Sequence, residues 1–124
     1  MRRIGTNGGN IWMPDRSYYL PEKSEVESIA KKTYFEKYAW TKEIFDCDDF
    51  ATIFLAWAKQ QRYCGEHTHS IAFFMCAGTK FDGKNTGHAI NGAVCQEGVY
   101  LIEPQNDKIW LADPDRDHVH FMFF

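Results

Sequence analysis

The stretch that most constrains this chain is Asp46 to Arg62, where Cys47, Phe50, Ile53, Phe54, Trp57 and Gln61 fall on one stripe of a 3.6-residue period. A stripe of that kind forms an amphipathic helix, and its apolar face needs a second layer to cover it. Asp46 is the expected N-cap, and Gly65, after Cys64, can take the left-handed conformation that ends a helix. Beyond that point the pattern becomes that of strands. Ser70 to Gly78, His88 to Cys95, Val99 to Glu103, Lys108 to Ala112 and His118 to Phe124 are apolar or alternating runs. Turn-forming residues part them at 81–85, 96–98 and 113–117.

Before the stripe, Ser24-Glu25-Val26-Glu27 reads as a capping box opening an earlier helix, with Val26, Ile29, Ala30 and Thr33 at helical spacing. Residues 1–16 hold Asn7-Gly8-Gly9-Asn10 and Met13-Pro14-Asp15 and show no hydrophobic period, which predicts a loop or arm. Trp12, Tyr18, Tyr19 and Leu20 are expected to pin that arm to the core. The layout predicts an α+β fold, with N-terminal helices packed on an antiparallel β-sheet. At 124 residues the chain suits a single domain covering 1–124.

Aromatic residues make up 16% of the chain, which argues against disorder. The net charge of −3 and the scattered Lys and Arg give no footprint for nucleic acid. No run of 18 apolar residues suits a membrane, and the start lacks the apolar core of a secretory signal, so a cytoplasmic protein is expected. Cys47, Cys64, Cys76 and Cys95 show no C-x-x-C pair and are expected as reduced thiols, with one bridge among the last three as the alternative. Cys64 with His67, His69, His118 and His120 matches no zinc-ligand spacing. Asp113, Asp115 and Asp117 alternate as in a calcium loop but lack its glycine and terminal glutamate, so a turn is expected.

Cys47 is the candidate for chemistry. A thiol in the first turn of a helix meets unpaired N–H groups and the positive end of the macrodipole, both of which favour thiolate. Asp48 and Asp49 oppose this unless they turn away or a cation neutralises them. His88 is the candidate base, and Glu103, on the face of Val99 and Leu101, needs a buried partner that His88 could supply. Together Cys47, His88 and Glu103 read as a catalytic triad. The two lie directly opposite only if the intervening hairpin has a four-residue loop over 94–97. A two-residue turn at Glu97-Gly98 would set them four positions apart, roughly 13 Å.

The blocks F-D-C-D-D-F-A, G-H-A-I-N and L-I-E-P-Q, from Phe45 to Gln105, resemble the papain-like C-terminal domain of the Marasmius oreades agglutinin family and its short phage and bacterial relatives. The resemblance implies a papain-like or transglutaminase-like fold and a calcium-dependent cysteine peptidase acting on a protein or peptide substrate. It also implies host cytoplasm as the location if the chain is phage-encoded. Cys47 would be its nucleophile, His88 its base and Glu103 the orienting carboxylate, with Asp48, Asp49 and Gln105 at a calcium site. Papain takes an oxyanion donor from a glutamine before its cysteine. Here no Asn or Gln lies between Ile11 and Asp46, which leaves the Cys47 backbone N–H and the Trp40 indole. The lectin module of the agglutinins is absent, so sugar binding does not follow from the resemblance. The alternatives are a cell-wall amidase or transglutaminase-like acyl transferase on the same triad, or a non-catalytic calcium-binding or host-interaction module.

Overall fold

The computed structural model describes residues 6–33, 35, 38–63 and 69–124. Cys64, Gly65 and His67, named above for the helix end and the zinc alternative, lie outside the described residues. Among the described residues are eight strands and two helices: β1 (Thr6–Trp12), β2 (Tyr18–Tyr19), α1 (Lys23–Lys31), α2 (Cys47–Tyr63), β3 (Ser70–Ile71), β4 (Phe73–Lys80), β5 (His88–Cys95), β6 (Gly98–Glu103), β7 (Lys108–Leu111) and β8 (His118–Phe123). Six strands form one sheet in the order β1-β8-β4-β5-β6-β7, and β2 pairs with β3 in a small second sheet. None of the described helices is long and apolar enough to cross a membrane.

This corrects the expected fold class. In place of N-terminal helices packed on an antiparallel sheet of papain or transglutaminase type, the architecture is dominated by strands and a strand opens it. The glycine-rich segment taken for a loop or arm pairs parallel with β8, Asn10 opposite Phe121 and Trp12 opposite Phe123, so the sheet is mixed. Its pattern is hard to read because it is an edge strand in which Ile11 packs against the core between exposed Asn10 and Trp12. Trp12 accordingly stays 62% exposed and Leu20 is also exposed, while Tyr18 packs its ring 5.5 Å from that of Phe124.

The helices form for the expected reasons with shifted details. In α1 the reciprocal cap runs between Glu22 and Glu25, two residues ahead of the expected Ser24 and Glu27, and Val26 and Ala30 face the core. At the entrance of α2, Asp49 Oδ2 accepts the backbone N–H of Asp46 at 3.1 Å. Phe50, Ala51, Phe54, Leu55 and Ala58 carry its burial. They pack with Phe73, Ala93 and Ile102 on one face of the sheet. The opposite face joins Phe74, Cys76, Ile90, Leu101 and Met122 with Phe124. Contacts step along α2 against β4: Lys59 Nζ donates to Ser70 Oγ at 3.0 Å, and Thr52 lies beside Met75. The helix therefore runs opposite to β4, and its first turn points to the sheet end where Gly78 pairs with His88.

The turns at that end are clamped by charge. Asp82, at a positive φ of 50°, bonds the Lys108 ammonium at 2.5 Å and the Arg116 guanidinium at 3.3 Å. The Lys108 bond first, and then Arg116, hold the Asp82 carboxyl below its ordinary value of 3.8. A depressed carboxyl contributes stability that is present above 3.8 and is lost as pH falls through the lower folded value. Melting temperature followed from neutral pH into that acid range is expected to fall less steeply in Asp82→Asn than in the unmodified chain. Parallel curves would remove Asp82 from the account of acid sensitivity.

Candidate functional site

His88 and Glu103 are brought together. His88 Nε2 lies 2.6 Å from Glu103 Oε1, with side chains 22% and 17% exposed. The register that does this is neither of the two expected. Cys95 pairs with Gly98 across a Gln96-Glu97 turn, so Asn91 faces Ile102 and Glu103 falls opposite Ile90. His88 is thus two positions from direct opposition, a diagonal that long side chains span. Glu103 Oε2 also accepts the Gln105 backbone N–H at 3.4 Å, placing Gln105 in the turn leading to β7.

Cys47 is half-buried as the first residue of α2. Among the described residues no hydrogen bond joins it to His88, whose Nε2 is held by Glu103. Alternation along β5 gives the reason. Asn91, Ala93 and Cys95 face α2, whereas Ile90 and Val94 join the opposite cluster. His88 shares the parity of Ile90 and meets the Phe81 ring edge-on at 6.2 Å. Glu103 likewise shares the parity of Leu101 on that opposite side. Cys47 opens the helix that covers one face of the sheet, His88 shares the parity of the residues on the other, and among the described residues no hydrogen bond links the thiol to the imidazole. The other described thiols are inert: burial pushes Cys76 far up, and burial followed by Glu97 and Glu25 pushes Cys95 up to about 12.

The acidic residues beside Cys47 do converge. Asp46, Asp48 and Asp49 offer carboxylate oxygens within 4.8 Å of one another. Asp46 adds to the expected pair because the turn before α2 folds back: Thr41 bridges Phe45, and Asp46 Oδ2 accepts the Glu43 N–H at 3.2 Å. Trp40, just before that bridge, is 54% exposed. Hard oxygen donors of this kind suit calcium, and Asp46 and Asp49 each keep a second oxygen beyond the backbone bond that Oδ2 accepts. The donor set fits that ion, with the remaining positions left to water or partner oxygens.

Asn91 was not singled out in the sequence, yet it is fully buried and ties the layers together. Its Nδ2 donates to Ala51 O at 2.8 Å and to Phe74 O at 3.3 Å. The signal was present as a lone amide inside the apolar run Ala89 to Val94, at the parity facing α2.

Comparison with known proteins follows this geometry. No curated protein matches the chain. A solved structure described as a PSL1a-E64 complex is similar at 24% identity and a TM-score of 0.79, over 95% of this chain and 44% of that one. A second, of Polyporus squamosus lectin bound to the human-type influenza-binding epitope Neu5Aca2-6Galb1-4GlcNAc, is similar at 26% identity and a TM-score of 0.74, over 94% of this chain and 42% of that one. The chain therefore spans less than half the length of the solved chains it matches. These findings correct the expectation of a cysteine peptidase, and with it the descriptions hydrolase, thiol protease and papain-like. The matched names are an agglutinin domain and a lectin, and they coincide with a strand-rich fold. The agglutinin part of the resemblance stands. The family described as Agglutinin C-terminal matches residues 18–109, and this chain belongs to it.

Proposed function

We propose that the chain is a non-catalytic recognition module that binds calcium through Asp46, Asp48 and Asp49 and engages a glycan-bearing partner. The observation that carries this reading is the convergence of three carboxylates at an accessible helix entrance, and the segment leading into it carries the exposed Trp40. Carboxylates accept from sugar hydroxyls, and an aromatic face suits the apolar side of a sugar ring. A calcium ion held there would supply a positive centre for hydroxyl oxygens. The glycan named for the Polyporus squamosus lectin supports this class of partner. Gln105 is carried as a donor from a second segment. Cys47, His88 and Glu103 have positional roles in this reading: the His88–Glu103 hydrogen bond links β5 to β6, and the thiol starts α2 between the metal ligands.

The test is a calcium titration followed by thermal unfolding, with glycan binding measured in its presence. Calcium at 100 times its dissociation constant is expected to add about 2.7 kcal/mol of stability. The Asp46→Asn/Asp48→Asn/Asp49→Asn variant should lose that gain, Gln105→Ala should lose part of it, and Neu5Aca2-6Galb1-4GlcNAc should bind only with calcium. Covalent addition of the E64 compound to the chain, abolished by Cys47→Ser, would overturn the non-catalytic reading. Glycan binding unchanged in the triple variant would overturn the metal assignment.

A further inference from the structure

The sheet face away from α1 and α2 holds a cavity of about 240 Å³ that the proposed function does not use. Its walls are apolar, formed by Leu101 of β6, Val119 and Met122 of β8, and Ala112 and Pro114 of the connection between β7 and β8. At one end sits Asp117, only 5% exposed. Its carboxylate takes N–H groups from Asp82 at 2.8 Å, Asp113 at 2.9 Å and the Trp110 indole at 3.2 Å. All three donors are neutral. The neighbouring cations, Lys108 and Arg116, are spent on Asp82, and no salt bridge reaches Asp117 among the described residues.

A carboxylate has room for about four hydrogen bonds, and three are made here. These dipoles stabilise the charge, but it has no counter-ion among the described residues and one acceptor position is left over. A cation entering the cavity would meet apolar walls along its body and an uncompensated negative charge at its head. We propose that this cavity is a binding site for a small apolar cation, one aromatic ring on a short arm ending in a primary ammonium. Its volume lies just below the usual range of ligand pockets, about 300–1,000 Å³, which limits the occupant to a single ring.

The test compares 2-phenylethylammonium with its neutral analogue 2-phenylethanol on the intact chain, by calorimetry and by the NMR signals of the Met122 and Ala112 methyl groups. The amine is expected to bind saturably, to shift both methyls, and to bind at least about tenfold more tightly than the alcohol. Ala112→Phe fills the cavity without touching the Asp117 bonds and should abolish binding while the melting temperature is retained. Should that variant fail to fold, the methyl shifts and the comparison of amine with alcohol decide the matter in the unmodified chain. Absence of saturable binding, equal affinity for the alcohol, or amine binding that survives in folded Ala112→Phe would each overturn the proposal.

Discussion

Asn91→Asp is expected to destabilise the chain by about 3–5 kcal/mol at neutral pH, the largest loss from any single change of near-equal volume. Asn91 is fully buried, its two N–H groups bond carbonyls of Ala51 and Phe74, and its Oδ1 accepts from no group among the described residues. A carboxylate in its place would face two carbonyl oxygens with neither donor nor counter-charge. An uncompensated buried charge costs about 3–5 kcal/mol, a large share of the 5–15 kcal/mol that holds a domain folded. Asn91→Leu separates charge from hydrogen bonding. It removes the amide's two bonds to carbonyls that already belong to α2 and β4, together with the unmatched Oδ1, so about 1–3 kcal/mol is expected. Urea unfolding followed by tryptophan fluorescence measures both. An Asp variant as stable as the unmodified chain would show that the amide does not tie α2 to the sheet.

Gly78→Val is the second large effect, expected at about 3 kcal/mol. A Cβ at position 78 would lie 2.1 Å from the His118 carbonyl oxygen, a backbone atom that cannot rotate away. The β4–β8 pairing is already irregular on both sides of Gly78, so the strands meet at a bulge with no spare width. Because Gly78 pairs on its other side with His88, a forced shift should also disturb the His88–Glu103 pair. The measurement is the unfolding free energy of the variant together with the NMR signals of the His88 ring. A stable variant with an undisturbed ring would mean that β8 moves freely against β4.

Much of this was legible because local chemistry and the final fold agree. The α2 stripe placed the helix within a residue at its start, and β5 was read at its full extent from His88 to Cys95. Turn-forming residues divided β6, β7 and β8 at nearly the right places. What failed depended on partners distant in sequence. Nothing within residues 6–12 shows that they pair with β8, which lies more than a hundred residues later. Parity put His88 and Glu103 on one face and so anticipated their contact. The same parity, applied to α2, would have required knowing which face the helix covers, and only Asn91 bonded to Ala51 shows that. Asp46 was read as a cap alone because its convergence with Asp48 and Asp49 comes from the turn at Thr41 to Phe45.

The parallel pairing of β1 with β8 also governs the order in which the molecule can assemble. As the chain leaves the ribosome, the neighbours in the β4–β5–β6–β7 meander emerge within a few residues of one another and can pair by short loop closures. The first strand has no template until the last has been synthesised and added beside β4, more than a hundred residues later. Throughout that interval its backbone donors and the exposed Trp12 ring are available to other chains. Aggregation during synthesis should therefore begin at the first strand, and slowed translation before residue 118 should aggravate it.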